Sequence, residues 1–169
     1  MATFQLLRSL PPLLLLILLA AAATAAPVDD ICRETKNAAL CLSVLNSDAR
    51  SKTANLPTLA QIAVDAAEFD AGQSKQNIDR ALVAEKDPKR RANLLQTKNL
   101  WMDALDAVLA AGRDLPARRY AAVKASGKKI SDSVAAAAAK WNAGVFPYLK
   151  EERKIEIAGE AIAVIAGKL

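Results

Sequence analysis

The sequence contains no histidine and only two cysteines among its 169 residues. A catalytic triad with histidine as its base, a Cys–His nucleophile pair and a zinc site with histidine ligands are therefore excluded. The six glycines are scattered, so they form no glycine-rich phosphate loop. The acidic residues fall at helical spacings among lysines and arginines, which indicates a solvated helix surface rather than paired catalytic carboxylates. We therefore expect a protein that is not an enzyme and that uses no cofactor or metal ion.

The N-terminal segment has the pattern of a secretory signal peptide. A short start that includes Arg8 is followed by a nearly unbroken apolar run over residues 10–19, and small residues such as Ala23 and Ala25 come next. This run is shorter than the roughly 20 apolar residues that a membrane span needs. We expect residues 1–25 to be a cleaved signal peptide and residues 26–169 to form one secreted domain that does not bind membranes.

The basic residues outnumber the acidic ones by 23 to 18, which gives a net charge of +5 at pH 7. A mildly basic secreted protein is attracted to polyanions. The basic residues are nevertheless spread over several segments and interleaved with acids, which favours a solvated surface. The sequence also lacks a dense basic stripe with interleaved aromatic residues, so we expect no nucleic-acid partner.

The composition and the spacing of apolar residues predict an all-α protein. Alanine, leucine, lysine and glutamate are abundant, and alternating β-branched runs are rare. Breaks are predicted at Asp87, because the residue before a proline is pushed out of the helical region, at Gly112, and at Gly144 with Pro147. The result is an up-down-up-down four-helix bundle, preceded by a short helical hairpin that breaks near Asn37.

Apolar residues recur at spacings of three and four along each of the four long helices. The predicted buried faces carry Leu59, Ile62, Ala63, Ala66, Phe69, Ile78 and Leu82; Leu94, Leu95, Trp101, Ala104, Leu105, Val108 and Leu109; Tyr120, Val123, Gly127, Ile130, Val134, Ala137 and Trp141; and Ile155, Ala158, Ile162 and Ile165. The aromatic residues Trp101, Tyr120 and Trp141 lie on these faces, which favours core packing over a ligand pocket.

The two cysteines lie on either side of the predicted break at Asn37. In an exported chain, Cys32 and Cys41 can pair with each other, remain free or bridge to another molecule. An intramolecular bond would hold the hairpin together and contribute about 2.5 to 3 kcal/mol in the chain-entropy estimate. We expect the intramolecular disulfide.

The N-terminal spacing also carries a family resemblance. Cys32 is followed by two residues, then Thr35, five further residues and Cys41, while the segments starting at Asn55 and covering 95–109 and 130–146 supply matching helices. This pattern resembles the plant invertase and pectin methylesterase inhibitors over nearly the whole mature chain. The resemblance implies a secreted inhibitor of the apoplast, or cell wall, that binds one-to-one at the active-site cleft of a pectin methylesterase or an acid invertase. The alternative is a non-inhibitory bundle that is structural or binds a small ligand.

The resemblance also implies a partner-binding segment. Invertase inhibitors of the family carry a proline, lysine, phenylalanine motif near the start of a bundle helix, and residues 116–120 are the nearest equivalent. This assigns Arg118, Arg119 and Tyr120 to partner binding, since arginines pair well with carboxylates in a glycosidase cleft. The alternative, which the residues themselves slightly favour, places Tyr120 in the core and leaves both arginines as solvated surface.

One departure from the family pattern concerns a second disulfide. In the family this bond ties the second and third long helices together, and Thr97 and Asn142 stand at what look like the two cysteine positions. Both cysteines are absent together, so no orphan thiol is left. The loss places both stability and inhibitory activity in question.

Overall fold

The computed structural model describes residues 28–141 and 149–169, with side chains described at 28–141 and 152–169. The predicted signal peptide, the predicted break at Gly144 and Pro147, and Asn142 lie outside the described residues. Within those residues the chain is entirely helical, and none of the helices is long and apolar enough to cross a membrane. The elements are α1 (Val28–Arg33), α2 (Ala38–Asn46), a 3-10 helix (Ala49–Thr53), α3 (Leu56–Ala84), α4 (Pro88–Asp114), α5 (Tyr120–Ala139) and α6 (Leu149–Lys168).

The four long helices α3 to α6 form a bundle in which each helix contacts the next and α3 also contacts α6. Polar side chains fix two of the helix starts. The Asn55 side chain accepts a hydrogen bond from the amide of Thr58 at the start of α3, and the Asp87 side chain accepts one from the amide of Arg90 at the start of α4. The predicted all-α bundle with a preceding stapled hairpin is confirmed.

The predicted core is largely buried, and one hydrogen bond crosses it. Ile155, Ile162 and Ile165 of α6 are fully buried, and Trp101 of α4 is 3% exposed. The Trp101 indole N–H donates to the carboxylate of Glu152 on α6 at 3.1 Å, so this buried acid has a donor within the bundle. The bond ties opposite helices of the bundle together.

The prediction that Phe69, Leu95 and Leu109 belong to the core is wrong. Their exposures are 66%, 47% and 40%. On α4 the buried stripe passes through Leu94 and Val108, and the residue after each points about 100° away from it, toward solvent. On α3, Phe69 lies at the rim of a hollow next to α2 and the 3-10 helix, beyond the part of α3 that the hairpin covers.

Gly112 does not end α4, contrary to the prediction. The helix continues to Asp114, and Leu115, the residue before Pro116, is its C-cap. Leu115 still has helical dihedrals, with φ −62° and ψ −53°, but Pro116 has no N–H to continue the helix hydrogen bonds, so the helix stops there. A single glycine inside a packed helix is tolerated.

Two glycines set the distance between α5 and α6. A Cβ atom on Gly127 would lie 2.7 Å from the backbone oxygen of Gly159 and 2.7 Å from the backbone nitrogen of Ala163. A Cβ atom on Gly159 would lie 2.8 Å from the backbone oxygen of Gly127. The two helices therefore meet backbone to backbone, at a distance that no larger residue permits.

The N-terminal hairpin is closed by the predicted disulfide. Cys32 and Cys41 are bonded, with a Cα–Cα distance of 5.3 Å, and both are fully buried. Asn37 ends the link between α1 and α2, where its side chain accepts from the amide of Leu40 at 3.0 Å. The closed hairpin packs against α3 and α6 of its own chain.

Lys36, in the link between α1 and α2, ties the hairpin to the last helix. Its backbone N–H donates to the Glu160 carboxylate at 2.8 Å, and its ammonium lies 3.0 Å from Glu160 and 3.2 Å from Glu156. These hydrogen bonds, first to Glu160 and then to Glu156, hold the pKa of Lys36 above its usual range. A second pair joins Lys168 to Glu34 at 2.6 Å.

We expect Lys36→Gln to lower the free energy of unfolding by about 0.2 to 1 kcal/mol at pH 7, the range for a solvent-exposed ion pair. Because the pKa of Lys36 is raised from 10.5, its contribution is complete below that value and is lost as the pH rises through the folded-state pKa. Urea unfolding at pH 7 and above pH 11 checks this. The wild-type advantage should shrink at high pH, whereas Lys52→Gln should have no effect at either pH; an unchanged advantage above pH 11 contradicts the assignment.

Candidate functional site

The turn between α4 and α5, residues 115–119, is the segment that the sequence assigned to partner binding. Leu115 is buried and anchors its start, while residues 116–119 are exposed. Arg118 has a φ of 56°, the only non-glycine residue with positive φ in the described chain. This left-handed conformation costs an L-residue roughly 1 to 2 kcal/mol, and such strain concentrates at functional sites.

Arg119 is fixed in place by Asp114, the last residue of α4. The guanidinium Nε donates to Asp114 Oδ1 at 2.9 Å, and its Nη2 donates to the same oxygen. The Arg119 amide also donates to the Asp114 carbonyl at 3.0 Å. The sequence did not point to Asp114 as a member of this site. Asp114 lies five residues before Arg119, and their side chains meet only because the chain turns between them.

Tyr120 begins α5 and is partly buried against the hydrophobic core. Its ring therefore contributes to packing, while the two preceding arginines remain at the surface. Arg118 has no side-chain hydrogen bond or ion pair among the described residues. No side chain caps the first turn of α5. The positive end of this helix thus adds to two guanidinium groups, an arrangement that favours a carboxylate of a partner.

The turn presents charge and no catalytic group. Across residues 28–141 and 149–169, no cluster of three or more histidine, cysteine, aspartate or glutamate residues could hold a metal ion. This arrangement can pair with an anionic surface through Arg118. Arg119 is held in its orientation by Asp114.

Thr97, which the family resemblance placed at one end of an absent second disulfide, makes two hydrogen bonds. Thr97 on α4 is fully buried, and its hydroxyl accepts from the indole N–H of Trp141 at 2.7 Å. The same hydroxyl donates to the carbonyl of Asn93 at 2.9 Å. Trp141 follows the end of α5 and directly precedes Asn142 in the sequence. A polar contact therefore joins α4 to the end of α5 at Thr97, one of the two positions compared with the family cysteines.

Two hollows on the surface bear on the small-ligand alternative. One of about 590 Å³ lies between α2, the 3-10 helix and α3, and its lining includes Val44, Ile62 and Phe69. Another of about 490 Å³ lies between the hairpin, α5 and α6, and its lining includes Leu40 and Ile157. Both are open surface hollows rather than cavities inside the bundle core, where helical bundles usually hold small ligands.

Solved structures with this fold are known. A mutant form A of a pectin methylesterase inhibitor from Arabidopsis superposes with a TM-score of 0.75, at 18% identity, over 84% of this chain and 96% of that one. A pectin methylesterase inhibitor from Arabidopsis thaliana gives a TM-score of 0.65, at 17% identity, over 86% of this chain and 97% of that one. At these identities the likeness establishes the fold alone.

The sequence itself is similar to that of a named inhibitor. A pectinesterase inhibitor from Actinidia deliciosa is 31% identical over 93 residues, which are 55% of this chain and 50% of that protein. The match thus spans about half the length of this curated relative. The sequence model of the family described as plant invertase/pectin methylesterase inhibitor matches residues 26–144, well over half of the chain. The chain therefore belongs to the plant invertase/pectin methylesterase inhibitor family.

Proposed function

We propose that this chain is a secreted, non-enzymatic inhibitor that forms a one-to-one complex with a pectin methylesterase of the plant cell wall, at the enzyme's active-site cleft. The family match over residues 26–144 carries the proposal. The related protein from Actinidia deliciosa, named a pectinesterase inhibitor, supports this target over an acid invertase. The signal-peptide pattern of residues 1–25 supports export to the apoplast.

The structure suits inhibition by a preformed surface. A stable complex between two proteins buries about 1,600 Å² in total, and rigid partners change little when they bind. Here the disulfide, the Lys36 link and the close contact of α5 with α6 hold the helices in a fixed arrangement. Such a surface blocks a cleft without any turnover of its own.

Within this proposal, Arg118 is the residue of the α4–α5 turn that contacts the enzyme. Its guanidinium has no partner among the described residues, whereas that of Arg119 is held by Asp114. A strained backbone that presents an exposed cation makes sense where the side chain is used in binding. Arg119 and Tyr120 then support the turn, the first by its ion pair and the second by its packing.

Complex formation tests the proposed function. The purified protein is mixed with a plant pectin methylesterase, and separately with a plant acid invertase, at about pH 5, where carboxylates are largely ionised. Light scattering after size exclusion should give the summed mass of one inhibitor and one methylesterase. If neither enzyme changes its elution at micromolar concentrations of both proteins, the proposal fails. A complex with the invertase alone would overturn the choice of target.

Arg118→Gly separates binding from folding. Glycine adopts φ near 56° without strain, so we expect stability to be unchanged or raised by up to about 1 kcal/mol. Loss of the guanidinium should weaken binding to the enzyme by about tenfold or more, the effect of losing a charged contact at an interface. Binding is measured by calorimetry, with Lys52→Gln as an exposed control. Equal affinity of Arg118→Gly and the wild type would remove the assigned contact.

A further inference from the structure

Five basic side chains lie at the end of the bundle where a short link joins α3 to α4. We call residues 80–91 the basic tip. It contains two acidic residues, so it carries a net charge of +3, against +5 for the whole chain at pH 7. All five cations are exposed; they are Arg80, Lys86, Lys89, Arg90 and Arg91.

The fold gathers charges that are interleaved in the sequence. α3 ends at Ala84 and α4 begins at Pro88, so the last turn of one helix lies beside the first turn of the other. The Arg91 guanidinium donates to the carbonyl of Leu82 across this junction. The cations on both sides of the three-residue link therefore share one end of the molecule.

Three of the five cations have no partner among the described residues. Arg90 is 3.2 Å from Glu85, and Arg91 is bonded to a backbone carbonyl. Arg80, Lys86 and Lys89 make no ion pair or side-chain hydrogen bond with any part of the chain that the structure describes. Their charges are available to an external anion.

The basic tip extends beyond the described end of α5. The Trp141 indole contacts the Thr97 hydroxyl, so the end of α5 is level with that residue of α4. Residues 88–96 continue beyond this level, a length of about 13 Å at 1.5 Å per helical residue. Val83, in the last turn of α3, is 88% exposed at the same end.

The position of the cations is unfavourable for the isolated fold. Lys89, Arg90 and Arg91 occupy the first turn of α4, which contains no acidic residue. Basic residues at a helix N-terminus are opposed by the helix dipole. The Asp87 cap and the Arg90–Glu85 pair offset part of this repulsion, and a bound anion would offset more of it.

We propose that the basic tip binds a polyuronate, a polysaccharide with one carboxylate per sugar unit. Naming this polymer rests on the proposed function, because removal of methyl esters from pectin leaves carboxylates of this kind. Long, exposed cations without a partner among the described residues attract a flexible polyanion without a shaped cavity. The exposed Val83 offers an apolar contact for a sugar ring. The inhibitor is thereby held where its target enzyme has acted.

The test compares two triple variants with equal loss of charge. Arg80→Gln, Lys86→Gln and Lys89→Gln remove the unpaired cations of the basic tip, while Arg113→Gln, Lys52→Gln and Lys128→Gln remove three exposed, unpaired cations elsewhere. Binding to polygalacturonate is measured by calorimetry at about pH 5, where the uronates are ionised, and over a series of salt concentrations. Fully methyl-esterified polymer serves as the uncharged control.

We expect the tip variant to bind polygalacturonate about tenfold or more weakly and with a smaller salt dependence, since fewer counterions are released. The matched variant should remain within about twofold of the wild type, and the esterified polymer should not bind. The inference is overturned if the wild type does not bind polygalacturonate, or if both variants weaken equally, which would indicate net charge alone. It is also overturned if the tip variant loses affinity only for the enzyme, because the surface would then recognise an acidic protein.

The enzyme complex is measured with the same variants in the absence of polymer. Tip-dependent polymer binding without any enzyme complex would contradict the proposed function and support a polyuronate-binding surface. An intact enzyme complex together with polymer binding that does not depend on the basic tip would support the proposed function and contradict the polyuronate-binding surface. The two proposals therefore fail separately.

Discussion

Gly127→Ala is expected to lower the free energy of unfolding by about 2 to 3 kcal/mol, the cost of overpacking a close contact. The added methyl group would lie 2.7 Å from two backbone atoms of α6, and backbone cannot move aside as a flexible side chain can. The helices must separate, which loosens packing along the stripes that carry Ile130 and Ile162. This loss exceeds the gain of about 1 kcal/mol that alanine brings to a helix.

Gly72→Ala is the matched control, because Gly72 lies inside α3 with no atom within 4 Å of the added Cβ. It should stabilise the protein by about 0.5 to 1 kcal/mol through helix propensity alone. Thermal unfolding followed by circular dichroism should show a loss of about 6 to 12 °C for Gly127→Ala and a small rise for Gly72→Ala. Equal melting temperatures for the Gly127 variant and the wild type would contradict the close approach of α5 and α6.

Removing the disulfide is expected to cost about 2.5 to 3 kcal/mol, because the reduced chain gains the conformational freedom of the closed loop. The proposed variant is Cys32→Ala with Cys41→Ala, which avoids placing two hydroxyl groups at fully buried positions. The hairpin should then open before the bundle unfolds, since it is short and is held to α3 and α6 by a few buried side chains, such as Ile31 and Leu45, and by exposed ion pairs such as that of Lys36.

Hydrogen exchange and urea unfolding measure this effect. Residues 38–46 should lose protection in the variant, and a reducing agent should destabilise the wild type while leaving the variant unchanged. The last comparison controls for the loss of two buried side chains. Unchanged protection of α2 in the variant would mean that packing against α3 and α6, rather than the disulfide, holds the hairpin.

The helices and most of their starts could be predicted because local signals are strong here. At the start of α4, Asp87 is the N-cap and Pro88 occupies the first helical position. At the start of α2, the Asn37 side chain is the N-cap. Gly112 misled the prediction because packing overrides the preference of one residue. Phe69 was wrongly predicted to be buried. The N-terminal hairpin packs against only part of the length of α3, and Phe69 lies beside an open hollow next to that part.

The candidate site was less accessible to sequence reasoning. The sequence could single out Arg118 and Arg119 but could not show that they have different roles. The turn between α4 and α5 brings Asp114 to Arg119 and leaves Arg118 with a strained backbone. The basic tip was likewise hidden. Residues 80–91 read as mixed charge along the chain, and only the antiparallel arrangement of α3 and α4 collects their cations at one end.

The central claim is that this bundle inhibits a pectin methylesterase by binding it. The most direct measurement is a titration of plant pectin methylesterase activity with the purified protein at about pH 5, with the enzyme well above the dissociation constant. We predict a linear loss of activity that ends at one inhibitor per enzyme, as expected for tight one-to-one binding. Full activity at a micromolar excess of the protein would contradict the account.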